Sequence, residues 1–210
     1  KSEQVIVDLL DRLKGHLEQG KSVRSFDRNE DEDELIKENQ FLTEKPILYL
    51  CNVDEAAAKD GNEWVNKVKE MAAEEGAEVI YLAAATEADI SELESYEERA
   101  MFLEDLGLEE AGVNKVIRAA YDLLDLQTYF TAGVKEVRAW TINKGFTAPQ
   151  AAGVIHTDFE KGFIRAEVIA YEDYANFGSE SKARDAGKLS VEGKEYVVQD
   201  GDVMHFRFNV

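Results

Sequence analysis

The chain holds 210 residues, 44% of them hydrophobic, with 44 Asp and Glu against 24 Lys and Arg and a formal net charge of -20. This is a globular composition, long enough for one large or two small domains, and its acidity argues against non-specific nucleic-acid binding by bulk electrostatics. No run of about 18 apolar residues occurs, so no membrane-spanning helix and no membrane partner are expected. The single cysteine, Cys51, excludes an internal disulfide and fits a reducing, cytoplasmic setting. No secretory signal is visible. The first residue is Lys1 rather than methionine, which fits a fragment or a processed product.

The charge is unevenly spread. Residues 126–210 carry 10 Lys and Arg against 12 Asp and Glu, a net of -2. Subtraction leaves 14 against 32 in residues 1–125, a net of -18. The shift suggests a domain boundary near Asp125.

In chain order, Val5, Ile6, Leu9, Leu10, Leu13 and Leu17 recur at helical spacing, with charges between them. They predict an amphipathic helix that Gly20 stops. The acidic run Glu30 to Glu34 precedes Leu35 and Ile36 and reads as the first turns of a second helix, where carboxylates favour the dipole. Pro46 ends helical possibilities. Ile47 to Cys51 is a continuous apolar run, the mark of a strand buried on both faces. A helix from about Asn62 to Glu75, closed by Gly76, leads to a second buried strand, Val79 to Leu82. This β-α-β order implies a parallel pair with a right-handed crossover. An acidic helix with Ile90, Leu93, Tyr96, Phe102 and Leu106 follows, then one with Val113, Val116, Ile117, Ala120 and Leu124. Two strands are too few for a doubly wound sheet, so further strands are expected from elsewhere, most simply upstream of Lys1.

Beyond Asp125 the pattern changes. Glu136 to Ile142 has strand composition and Asn143-Lys144-Gly145 is a turn. Thr147 to Gln150 opens a short helix with a capping box. Phe163 to Ile169 is a strand, and Tyr196 to Val198 and Val203 to Phe208 flank the turn at Gln199 to Asp202. Met204, Phe206 and Phe208 should face one side, His205 and Arg207 the other. Strands, one helix and more strands make a compact α+β module.

Gly15 to Ser22 matches the phosphate-binding pattern G-x-x-x-x-G-K-[ST] letter for letter. A true phosphate loop joins a buried strand to a helix N-terminus. Here an amphipathic helix precedes it, so the match reads as a helix end. Asn52-Val53-Asp54-Glu55 is better placed, at the carboxyl end of a buried strand where open α/β sheets bind ligands. An asparagine amide offers a donor and an acceptor to a base edge. The guanine-selective form of such a turn carries lysine and aspartate where Val53 and Glu55 stand, so guanine selectivity is not expected. The histidines are scattered and form no metal-ligand cluster. His156, beside Asp158, reads as structural, Cys51 as a buried core thiol, and Trp140 and Phe146 as core rather than base-stacking residues.

Several stretches resemble one family closely. Cys51 to Glu55 is similar to the base-recognition motif of the Obg-like ATPases, YchF subfamily. So are Gln127-Thr128-Tyr129-Phe130-Thr131-Ala132-Gly133, Arg138-Ala139-Trp140-Thr141, Ala148-Pro149-Gln150-Ala151-Ala152-Gly153, Ile155-His156-Thr157-Asp158-Phe159, Gly162 to Glu167 and Asp200-Gly201-Asp202-Val203.

The resemblance implies three parts: part of a coiled-coil insertion in 1–45, the C-terminal portion of a P-loop G domain in 46–125, and a ubiquitin-like β-grasp TGS domain in 126–210. The implied fold class is α/β plus α+β. It implies Asn52, Val53 and Glu55 on the adenine side of a nucleotide pocket, with backbone contacts from Ala83 and Ala84. It implies ATP (or GTP) with Mg²⁺ in the complete protein, slow hydrolysis, association with a ribosome or ribosomal subunit, and an RNA or protein contact through the TGS domain. The P-loop and the magnesium-binding switches have no counterpart here, so this chain is not expected to hydrolyse ATP alone. The alternative is an interaction module for protein or RNA that binds no nucleotide.

Overall fold

The computed structural model describes residues 3–133 and 135–209. The chain divides into two compact units, Lys1–Leu123 and Leu124–Val210.

In the first unit, α1 (Glu3–Glu18) buries Leu9 and Leu13 against Val23 and Ile36, with Phe26, Leu35 and Phe41 around them. Val5, Val7, Leu10 and Leu17, on the rest of the helix, stay exposed. Gly20 follows with φ 78°, a left-handed position that suits glycine. The Gly15 to Ser22 match therefore spans the tail of a helix and the turn after it, with no strand before it among the described residues. The second helix, α2 (Glu30–Glu38), starts with a capping box between Asn29 and Glu32 and carries four acids in its first turn. Arg28 ties the two helices' surroundings together: it donates to Asp33 at 2.7 Å, to the Val23 carbonyl at 2.8 Å and to Glu44 at 3.4 Å.

Then come β1 (Leu48–Asn52), α3 (Glu63–Glu75) and β2 (Glu78–Leu82). Asn62 caps α3, and Gly76, at φ 66°, closes it. The strands pair in parallel, Leu48 opposite Glu78 through Asn52 opposite Leu82. Successive side chains alternate faces. The Tyr49 hydroxyl meets Glu75 at the end of α3, and Leu82 meets Gly112 at the start of α6 (Gly112–Leu123), so α3 and α6 cover opposite faces. Arg24 also reaches Glu75, joining the helical segment to this sheet.

The expectation of strands buried on both faces is corrected here. β1 alternates between half-buried and exposed, Leu50 is half exposed, and Cys51 is a half-buried free thiol rather than a core one. The reason is that β1 has a strand neighbour on one edge only among the described residues. The single acidic helix expected after β2 is in fact two, α4 (Ala84–Glu92) and α5 (Tyr96–Asp105). Ser95 starts the second with a capping box to Glu98, and both Nε and Nη2 of Arg99 donate back to the Leu93 carbonyl, holding the corner.

The second unit is a five-stranded mixed sheet in the order β4-β3-β7-β5-β6. Its strands are β3 (Leu126–Ala132), β4 (Val137–Asn143), β5 (Phe163–Ile169), β6 (Ser190–Glu192) and β7 (Val203–Phe208). β3 runs parallel to β7 and the other pairings are antiparallel. Among its described residues the region holds four helices rather than the expected one: α7 (Ala148–Ile155), α8 (Thr157–Lys161), α9 (Tyr171–Phe177) and α10 (Glu180–Asp185). His156 ends α7 and caps α8, accepting from the Asp158 amide. Tyr196 to Val198 forms an isolated bridge to Thr147 rather than a strand.

The core packs α7 on the sheet. Ala148, Ala151 and Ala152 are fully buried, and their small side chains let the helix come close to Tyr129, Phe163, Met204 and Phe206. The Tyr129 hydroxyl donates to the Ala151 carbonyl at 2.9 Å. Met204 and Phe206 face this core while His205 and Arg207 are exposed, as the alternation predicts. Trp140 and Phe146 pack against the same core, and the Trp140 indole N–H donates to the Thr131 hydroxyl.

Candidate functional site

The carboxyl ends of β1 and β2 lie side by side because the strands are parallel and in register. Asn52 ends β1, and its Oδ1 accepts from the Ala84 N–H at 3.0 Å, across 32 residues of sequence. One residue on, the Val53 N–H donates to the Leu82 carbonyl at 2.9 Å, extending the ladder past the strand end. Asp54 then caps a single 3₁₀ turn, Glu55–Ala57, by accepting from the Ala57 N–H. Ala83 is buried at the mouth of α4, and its carbonyl takes the Glu87 N–H. Ala84 is the first residue of α4 and is exposed.

Asn52, Val53, Ala83 and Ala84 are thus brought together by backbone and amide hydrogen bonds. Glu55 stands beside them, exposed at the start of its turn: its carbonyl accepts from the Ala58 N–H, and its side chain has no hydrogen bond or ion pair among the described residues. The arrangement uses the carbonyl half of the Asn52 amide to fix the β2–α4 loop. Its NH₂ half remains as a donor at an exposed strand end, next to the first-turn N–H groups of α4.

Sequence reasoning did not find the support beneath this loop. Glu87, on α4, accepts from the Gly112 N–H at 2.7 Å and the Val113 N–H at 3.1 Å. A carboxylate thus caps the N-terminus of α6, where the helix dipole favours it. Gly112 is required by the close approach: a Cβ there would lie 2.7 Å from the Leu82 Cβ and 2.9 Å from Glu87 Oε1. The two partners are 25 residues apart and form no local motif. Next to Glu87, the Thr86 hydroxyl is buried without a hydrogen-bond partner among the described residues.

A wide concavity lies elsewhere in this unit. A cleft of about 870 Å³ opens between α4, α5 and α6, and none of Asn52, Val53, Glu55, Ala83 or Ala84 lines it. The strand-end residues form an open shelf instead of an enclosed pocket.

Comparison with known proteins gives a consistent picture. Residues 126–209 match the family YchF-GTPase_C, described as a protein of unknown function (DUF933). The chain is 56% identical over 204 residues to the "Ribosome-binding ATPase YchF" of Haemophilus influenzae, covering 97% of this chain and 56% of that protein. Against the protein of the same name from Bacillus subtilis it is 55% identical over 205 residues, covering 97% and 56%. Among solved structures, that of the Schizosaccharomyces pombe YchF GTPase superposes with a TM-score of 0.79 at 36% identity, covering 95% of this chain and 53% of that one. The chain therefore spans about half the length of the curated relatives it matches. Identity at this level over 97% of the chain, together with the family match over residues 126–209, makes the chain similar to the YchF family along nearly its whole length.

Proposed function

We propose that this chain supplies the base-recognising strand ends of a ribosome-associated, cytoplasmic nucleotide-binding ATPase, together with a partner-binding TGS module. The single observation that carries the nucleotide reading is the hydrogen bond from the Ala84 N–H to Asn52. It locks two loops at the carboxyl end of a parallel sheet, the position at which α/β folds bind nucleotides. In this reading the Asn52 NH₂ group and the backbone around Ala83 and Ala84 meet the hydrogen-bonding edge of adenine. Val53 supplies an apolar contact, and Glu55 lines the rim.

The donor set fits a purine base and nothing more of the nucleotide, since the Gly15 to Ser22 stretch is the tail of α1. Mg²⁺, when bound with ATP in the complete protein, neutralises phosphate charge. This chain's own residues orient the base and do not transfer the phosphoryl group. The names of the curated relatives support ATP as ligand and the ribosome as partner. The open edge of β1 supports a larger sheet in the complete protein, and 1–45 is read as part of a coiled coil inserted in it.

For the second unit, the order β4-β3-β7-β5-β6, with β7 central and parallel to β3 and α7 laid across one face, supports a ubiquitin-like β-grasp of the TGS type. Its near-neutral charge favours a specific partner contact over general RNA binding.

Calorimetric titration with ATP tests the nucleotide reading. In a full-length family protein carrying these residues, Asn52→Ala should weaken ATP binding by about 1–3 kcal/mol, the usual loss for a hydrogen-bonding partner that the bound base would bury. An affinity within about twofold of the parent, well under 1 kcal/mol, refutes the role. The 210-residue chain alone should show no ATP hydrolysis.

A further inference from the structure

The cleft between α4, α5 and α6 is unrelated to the base shelf, and its chemistry points to a different ligand. Its floor is apolar: Ile90 from α4, Leu103 from α5, Leu108 from the following loop and Val113 from α6. Its volume, about 870 Å³, is that of a complete binding site rather than a packing defect. Its walls are acidic. Between Ala84 and Gly112 there are ten carboxylates and one arginine, a net of -9 in 29 residues.

Part of that charge is internally occupied. Glu87 caps α6, Glu98 caps α5, and Glu110 pairs with Arg118. The one arginine, Arg99, donates to the Leu93 carbonyl, and Lys59 comes up against Gly107. Glu104 and Glu109, both lining the cleft, have no ion-pair partner among the described residues.

We propose that this cleft docks a Lys- or Arg-rich amphipathic helix of a partner protein. The partner's apolar stripe, at spacing i, i+3, i+4 and i+7, would fill the floor, as in helix-in-groove recognition. Its basic flanks would face Glu104 and Glu109. The same potential repels phosphate, so nucleic acid and free nucleotide are excluded as occupants. A hydrophobic floor inside an acidic rim also selects against purely polar cations, which gain nothing from Ile90 and Leu103. Oppositely charged walls steer the partner and raise its on-rate. This inference stands independently of the nucleotide reading, because no residue of the base shelf takes part.

The test uses the 210-residue chain and a fluorescein-labelled synthetic peptide of about four helical turns, Leu at i, i+3, i+4 and i+7 and Lys elsewhere. Fluorescence anisotropy should show saturable binding that weakens with added salt. A scrambled peptide of the same composition should bind at least about tenfold more weakly. The double reversal Glu104→Lys/Glu109→Lys should weaken binding by about tenfold or more, and Val113→Asp, at an exposed floor position, should do so with little change in charge. The same charge change on α2, Glu34→Lys/Glu38→Lys, should leave binding within about twofold. Equal binding of the scrambled peptide, equal loss in the α2 variant, or no saturable binding overturns the proposal. So does binding by this chain but not by a full-length family protein, since the cleft is then covered by the remainder of that protein.

Discussion

At Gly112, a Cβ would press on the Leu82 side chain and on the carboxylate that caps α6. Gly112→Ala should therefore cost about 1–3 kcal/mol of stability, as overpacking does, and urea unfolding measures it. Glu87→Ala removes a helix cap and should cost about 1 kcal/mol. The double variant should lose less than the sum, because without the carboxylate part of the clash is gone. In the second unit, Asp202 is buried and accepts from the Tyr196 hydroxyl at 2.7 Å and the Gln199 N–H at 2.9 Å. Burial lifts its carboxyl above the ordinary aspartate value, against the pull of those two donors. The folded state thus keeps this proton to higher pH than the unfolded chain does. Its stabilising contribution is full below the unfolded value, near pH 4, and is lost as pH rises through the folded one. The unfolding free energy of the wild type minus that of Asp202→Asn should accordingly fall from pH 3.5 to pH 7, roughly the range over which carboxylates titrate. A rise over that range sinks the assignment.

Elements show which part of a pattern is used. The apolar residues of α1 were legible as a stripe, but Leu9 and Leu13 alone enter the core with Val23 and Ile36. Ile36 is wholly buried and Leu42, a few residues later, is 82% exposed. Ile36→Ala should cost about 2–5 kcal/mol by thermal or urea unfolding, while Leu42→Ala should stay within about 0.5 kcal/mol. Helix starts were readable because their signals are local. The Thr147 and Gln150 pairing is found as expected, and Asn62 caps α3. The break between α4 and α5 was missed although Ser95 and Glu98 carry the same signature, because the acidic, loosely periodic stretch around them reads as one continuous helix. Strand β3 went unassigned for another reason. Gln127 and Thr128 are polar, yet Gln127 is buried and donates to the Val198 carbonyl at 2.8 Å, a contact 71 residues away.

At the scale of the whole molecule, two units each hold their own core, and the acidity belongs to the first. Residues 124–210 carry a complete hydrophobic cluster and a five-stranded sheet. Expressed alone, they should unfold in one cooperative transition by circular dichroism, with m-value and enthalpy in proportion to their length. A broad, non-cooperative melt counts against that independence. The sequence by itself determined α1, α2, α3 and α7, the strands β1, β2, β4, β5 and β7, the parallel β-α-β unit and the dismissal of the Gly15 to Ser22 match. These depend on periodicity and on interactions within about four residues, which a chain carries wherever it folds. Only the tertiary structure decided that the Asn52 amide grips Ala84, that Glu87 caps a helix 25 residues on, that β3 lies between β4 and β7, and that three helices enclose an acidic cleft. Each joins segments far apart along the chain. Their meeting depends on which packing of the finished elements buries the most apolar surface, not on any local pattern.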